Sequence, residues 1–220
     1  MHALGRPDKG PGVLGNLLCL CPNHHVQLAH DRLVISTYRS NCNPPIFNRR
    51  GKRLVSAEGI SEQGHALQAA AIAERDGEPP AIVVAALLHD IGHMLQIPAS
   101  DIVGMYASDH HEDIGAEWLA SLFGPEVSEP VRLHVIAKRY LCATEEGYLE
   151  GLSNASIRSL AARGGPLRRA NVAMFEVNPY FESALKVRRI DDRAHRQHAP
   201  VAPLSAYASH IDSLMLRSAA

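Results

Sequence analysis

From residue 61 onward, apolar positions recur at helical spacing, and the breaks between runs carry helix start and stop residues. Ser61 with Glu62 opens SEQGHALQAAAIAERDG, which Gly77 closes. Pro79 and Pro80 start AIVVAALLHDIG, a run so apolar that it predicts a central helix. HEDIGAEWLASLFG is amphipathic, with Leu119 and Leu122 three apart and Gly124 after them. Ser128, Glu129 and Pro130 predict the cap and first positions of a helix through VRLHVIAKRYL. Further helices are predicted over 155–163, 168–176, 180–195 and 204–217. No alternating strand pattern and no repeat follows residue 60, so the main body is predicted to be an all-α helical bundle.

The chain changes character before that point. GRPDKGPGVLGNLLCLCPNHHVQLAHDRLVIS mixes Gly/Pro turns with short apolar runs and predicts a short, irregular α+β appendage. The basic, breaker-rich NPPIFNRRGKR marks a boundary, dividing the chain into 1–48 and 49–220.

Composition narrows the class. In 220 residues, apolar types make up 46% and charged types 20%, which excludes a disordered or fibrous chain. A net charge of −1 gives no global field for a polyanion, so a nucleic-acid partner is not expected. No run is apolar enough to span a membrane, and the N-terminus lacks a signal-peptide core, so a cytoplasmic protein is expected. Aromatics at 5% leave the core to Leu, Ile, Val and Ala. The four cysteines lack the spacing of a disulfide framework and are expected as free thiols.

Histidine is the outlier, at 13 residues. His89 and Asp90 end an unbroken apolar run from Ala81, where two adjacent titratable groups cost several kcal/mol, about 2–7 for an unpaired polar group, unless paired or bound to a metal. A helix-end pair bonded to neighbouring backbone is the plain alternative for those two alone. His65, His111 and His134 lie on three further predicted helices, and packing does not explain four helices that each deliver an imidazole around one aspartate. Nitrogen and carboxylate ligands without thiolate suit iron, manganese or zinc, and an aspartate between two ions can bridge them. VRRIDDRAH adds Asp191 and Asp192 as late carboxylates. A dinuclear site or a single metal with fewer ligands both fit.

The order His65, His89-Asp90, His111, His134, Asp191 resembles the HD-domain superfamily of metal-dependent enzymes, with HDIGH as its signature. Within it the chain resembles the mixed-valent di-iron oxygenases that cleave carbon–phosphorus bonds of hydroxylated aminoalkylphosphonates. EGISEQGHALQAA, VVAALLHDIGH, HHEDIGAEWL, PVRLHVIAKRYL, LSNASIRSLAARGGP and ALKVRRIDD carry the likeness over roughly residues 54–195. The resemblance implies His65, His89, Asp90, His111, His134 and Asp191 as ligands of two iron ions, Fe(II)/Fe(III), with Asp90 bridging and O2 as co-substrate. It prefers Asp191 over Asp192, which reads as a solvated helix charge. It implies a small-molecule phosphonate met by Glu58, His93, Lys138, Ser156, Ser159 and Arg188, with 2-amino-1-hydroxyethylphosphonate giving glycine and phosphate as the lead reaction. Lys138 falls one helical turn after His134, and Arg188 one turn before Asp191.

Three positions depart from that family: Val55 stands where a tyrosine is frequent, Arg163 where a glutamine is expected, and Ile190 where an aromatic precedes Asp191. They surround the substrate rather than the metals, so they bear on substrate identity. The alternatives are an HD phosphohydrolase using the same ligands against a phosphate ester, a degenerate module that binds a phosphonate without turnover and, as the outside reading, an HNH nuclease. Residues 1–48 resemble the core of an HNH endonuclease, with Asn16 and His25 at that motif's spacing. The motif's first strand and general-base histidine have no counterpart, so a remnant without nuclease activity is expected. The oligomeric state is left open.

Overall fold

The computed structural model describes residues 54–55, 59–95, 110–197 and 199–216. The predicted N-terminal appendage, with Asn16 and His25, lies outside the described residues, and so does Glu58.

The described chain opens with a minimal antiparallel pair, β1 (Leu54–Val55) and β2 (Ile60–Ser61), in register Leu54 to Ser61 and Val55 to Ile60. Val55 therefore sits on β1. The rest is helical, as the spacing predicts. Helix α1 (Glu62–Arg75) is capped by Ser61, whose Oγ accepts from the Gly64 N–H at 3.0 Å. Helix α2 (Pro80–Leu88) starts on proline, whose fixed φ suits a first helical position. The apolar run through HDIG is two helices rather than one, because α2 ends at His89 and α3 (Ile91–Leu95) follows a turn at Asp90. Next come α4 (His111–Ala120), α5 (Pro125–Thr144), α6 (Asn154–Ala162), α7 (Arg169–Glu176) and α8 (Phe181–Asp191). A 3-10 turn (Leu204–Tyr207) then leads into α9 (Ala208–Leu214).

Two boundaries differ from the sequence pattern. Helix α5 begins at Pro125 with Gly124 as its cap, a turn before Ser128. Pro125 is preset for a first helical position, so Ser128 is drawn into the helix, where its Oγ donates to the Gly124 carbonyl at 3.4 Å. Pro130 is then an interior position, and the hydrogen bond it cannot donate would have ended on exposed Glu126. Helix α8 stops at Asp191, which leaves His195 beyond its end.

Helix α2 is the axis of the bundle: α1, α5, α8 and α9 all pack on it, and every residue from Ile82 to Leu88 is buried. The main core is built from Leu, Ile, Val and Ala side chains of α1 to α5, α8 and α9. Trp118, Phe123 and Tyr207 join that core, while Tyr140, Phe175 and Phe181 meet edge to face at 5.0–5.5 Å in a smaller satellite core. Among the described residues, no helix is long and apolar enough to cross a membrane.

Candidate metal centre

The α2–α3 junction sets the geometry. Burying α2 on all sides carries His89, at its last turn, and the adjoining Asp90 into the middle of the bundle. Gly92 then lets α4 approach: a Cβ there would lie 1.9 Å from the His111 carbonyl oxygen, an impossible contact. Gly115 completes the close packing, with a Cβ site 3.2 Å from the Gly92 nitrogen. The two glycines thus bring the His111 backbone against the Asp90 turn.

Six polar side chains from five helices converge there. His65 comes from α1, His89 and Asp90 from the end of α2, His111 from α4, His134 from α5 and Asp191 from α8. The four histidines are essentially buried. His65 Nε2 lies 3.1 Å from His89 Nε2 and 3.1 Å from Asp191 Oδ1. His111 Nε2 lies 3.2 Å from His134 Nε2. Asp90 joins the two sets through different oxygens. Its Oδ2 lies 3.3 Å from His89 Nε2 and 3.6 Å from His65 Nε2, while its Oδ1 lies 3.3 Å from His111 Nε2 and 3.7 Å from His134 Nε2.

The outer edges of the rings fix which nitrogen faces inward. Nδ1 of His65 meets the Ala194 carbonyl at 2.9 Å, Nδ1 of His89 the Ala86 carbonyl at 2.8 Å, and Nδ1 of His134 the Val131 carbonyl at 2.7 Å. A carbonyl only accepts, so each Nδ1 carries a proton, and in the neutral ring each Nε2 presents a lone pair to the cluster. Lone pairs of two rings facing at about 3 Å, beside two carboxylates, are held together only by positive charge between them.

The electrostatics say the same. Burial disfavours the charge on Asp90 and Asp191, yet their neighbours keep both well below the usual carboxylate range: His89 and His111 for Asp90, Arg188 and His89 for Asp191. Burial also opposes protonation of His65 and His89, but the same carboxylates outweigh it and raise both. Burial, with His111 and His89 nearby, holds His134 well below the ordinary histidine value and so neutral. The cluster can hold cations, and its nitrogen and carboxylate donors suit iron, manganese or zinc. His65, His89 and Asp191 form one compact ligand set, and Asp90, His93 and His111 another.

Lys138 and Ser159 stand together, with Lys138 Nζ donating to Ser159 Oγ at 3.0 Å, and Lys138 is buried. Burial and Arg188 lower the Lys138 ammonium pKa, opposed by Asp191 and Asp90. Ser156 is half-buried at the start of α6, its N–H donating to the capping Ser153 Oγ at 3.2 Å. His93 stacks on His111 with ring centroids 3.9 Å apart.

Arg188 lies one helical turn before Asp191, as its spacing predicts, and is bonded there. It does not stand as an open cation: its NH1 donates to Asp191 Oδ2 at 2.7 Å, its NH2 to Asp192 Oδ1 and its Nε to the Tyr148 hydroxyl at 3.1 Å. Helical spacing put Asp191 and Asp192 within reach of the same guanidinium, and their charges captured it. Asp192 is accordingly no solvated charge, because it also accepts from the Tyr148 hydroxyl at 2.5 Å. Sequence reasoning missed His195, which stacks on His65 at 4.7 Å with Nε2 3.7 Å from Asp191 Oδ1. Its position four residues after Asp191 was the available signal. Also missed was buried Glu112, held by Arg163, the residue that replaces the expected glutamine.

Residues 63–165 match the HD domain family. The chain is 44% identical over 156 residues to 1-hydroxy-2-(trimethylamino)ethylphosphonate dioxygenase (glycine-betaine-forming) of Leisingera caerulea, covering 69% of this chain and 77% of that protein. It is 41% identical over 162 residues to hydroxymethylphosphonate dioxygenase of Gimesia maris, covering 73% and 81%.

Proposed function

The chain belongs to the HD-domain family and to the oxidoreductases within it that include these two dioxygenases, and from that premise we propose that it uses O2 to cleave the carbon–phosphorus bond of a 1-hydroxyphosphonate. The reading assigns two iron ions to the cluster, one beside His65, His89 and Asp191 and one beside His111 and His134, with Asp90 shared. The observation that carries it is the division of Asp90, one oxygen turned to each pair of histidines. The lead substrate is 2-amino-1-hydroxyethylphosphonate; its sum with O2 equals glycine plus phosphate, so no further oxidant enters the balance.

When bound, the Fe(II)/Fe(III) pair supplies the electrons that activate O2 and the Lewis acidity that holds the substrate's hydroxyl and phosphonate. The protein does the positioning. Carbonyls behind His65, His89 and His134 set the direction of the Nε2 of each, so these three rings are oriented before loading. Lys138, oriented by Ser159, neutralises phosphonate charge in a buried place where the attraction is weakly screened. His93, Ser156 and Glu58 are assigned to the remaining substrate contacts. Arg188 is assigned to Asp191 rather than to the phosphonate. Residues 49–220 carry the whole reaction, and the HNH-like segment 1–48 takes no part.

Phosphate release by the iron-loaded protein, measured with and without O2, tests the reading. The substrates are 2-amino-1-hydroxyethylphosphonate, its trimethylammonium analogue and hydroxymethylphosphonate. Release that requires O2 from one of the three is expected. Release from phosphate esters without O2 would replace the reading with a hydrolase, and tight binding without turnover would replace it with a binding module.

A further inference from the structure

The four cluster histidines are not all supported alike. Behind His65, His89 and His134 stand neutral backbone carbonyls. Behind His111 stands a carboxylate: its Nδ1 lies 3.5 Å from Glu112 Oε2. Glu112 is itself buried, 6% exposed, a position that a carboxylate occupies only when paired. Its pair is Arg163, whose guanidinium grips both oxygens as a fork, NH1 to Oε1 at 2.5 Å and NH2 to Oε2 at 2.7 Å.

Arg163 is placed for this by the end of α6. It is the C-cap residue, and Gly164 and Gly165 follow at φ 84° and 73°, left-handed conformations that end the helix and turn the chain away. Helix α6 also carries Ser159, the partner of Lys138. One end of the relay therefore touches a cluster ring, and the other is fixed to the helix that orients the phosphonate-side cation.

We propose that Glu112, clamped by Arg163, is a positioning residue for the second iron: it holds the His111 ring by its Nδ1 edge so that Nε2 faces the ion. Arg163 ties that ring to α6. The proposal rests on the two-iron reading and deepens it, since it makes the His111/His134 ion depend on a charged pair that the other ion does not use.

The test replaces the pair with apolar residues, Glu112→Leu together with Arg163→Met, because exchanging a whole buried ion pair for packed apolar groups is often neutral to stability. Iron affinity and stoichiometry are read by titration of the anaerobic full chain, and exchange coupling by electron paramagnetic resonance. Roughly 10- to 100-fold weaker binding of one iron is expected, with the other unchanged. The signal of a coupled pair should give way to that of an isolated ion. The metal-free melting temperature should stay near that of the parent, which a merely structural role would not allow. Glu112→Gln should recover most of the affinity, because its amide oxygen can still accept from Nδ1. Two irons bound at parental affinity by the double variant, or both weakened equally, would overturn the proposal alone. A parent chain that binds a single iron would overturn the two-iron reading beneath it.

Discussion

The two halves of the cluster each lean on an arginine, buried Arg188 and half-buried Arg163, but by different routes. Around His65, His89 and Asp191, Arg188 bonds the cluster carboxylate itself from three residues away on the same helix. Around His111 and His134, Arg163 reaches across 51 residues of chain to Glu112, which then stands beside the ring. The first arrangement is written into α8, because residues three and four apart share a helix face. The second exists only when α6 is packed where it is. One half is therefore preformed by secondary structure, and the other is assembled by tertiary structure.

Asp90→Ala should erase the comparison, because Asp90 alone offers an oxygen to each half. Without it, two pairs of lone-pair-bearing rings face each other with one carboxylate fewer to attract a cation. Loss of both irons is expected, together with loss of phosphate release, read by metal analysis after desalting. A variant that kept one ion at parental affinity would show that the halves are independent and that Asp90 does not bridge.

Arg188→Met strikes the preformed half alone. It leaves Asp191 and Asp192 without the cation that holds them, and breaking a buried pair in this way costs about 3–5 kcal/mol. The metal-free protein should melt roughly 10 °C lower, given about 2–4 °C per kcal/mol in a chain of this size. Iron should restore part of the loss, because a bound cation compensates Asp191 and stabilises only the folded state. Equal melting with and without iron would contradict the placement of Asp191 beside the ion.

The same contrast explains what could be read from sequence. The six cluster residues stand out because polar, titratable side chains interrupt apolar helical runs, and that signal is local. The structure brings all six together, and the all-α body follows from the same periodicity. Arg188, Asp191 and Asp192 were also in view, but spacing alone does not say whether a cation faces substrate or its own helix. Glu112 and Arg163 were beyond reach, since nothing within a few residues of either marks the other. Gly92 was legible as part of HDIGH but not in its role, because the atom its Cβ would strike belongs to His111, nineteen positions on.

Lys138, assigned to the substrate in the proposed function, sharpens the comparison further, since it follows His134 by one turn and bonds α6. A hydrogen bond to a charged group contributes about 1.5–3 kcal/mol, so Lys138→Met should raise KM roughly tenfold to a hundredfold with both irons retained. Burial and Arg188 lower the ammonium pKa. Phosphonate binding should therefore weaken with rising pH before an ordinary lysine would titrate, and the variant should lack that alkaline limb. On stability the shift acts in the opposite direction. A folded-state pKa below that of the unfolded chain contributes stability that is present above the unfolded value and lost as pH falls through the folded one. Near neutrality the buried cation is a burden, so the metal-free variant should melt higher than the parent. A lower melting point with unchanged KM would make Lys138 a structural residue.

The smallest effect belongs to Tyr148, the outermost member of the preformed half. Its hydroxyl donates to Asp192 Oδ2 and accepts from Arg188 Nε; burial and Asp192 raise its pKa against the opposing pull of Arg188. Tyr148→Phe removes both contacts and leaves the ring. Arg188 keeps its bonds to Asp191 and Asp192, so the change should cost about 0.5–1.5 kcal/mol, the net worth of an ordinary hydrogen bond. Iron affinity should hold in both halves, because the guanidinium is already fixed by two carboxylates of its own helix. A fall in iron affinity as large as that from Arg188→Met would mean that the loop carrying Tyr148, rather than α8, orients Asp191. The preformed half would then be as dependent on tertiary packing as the half that Arg163 supports.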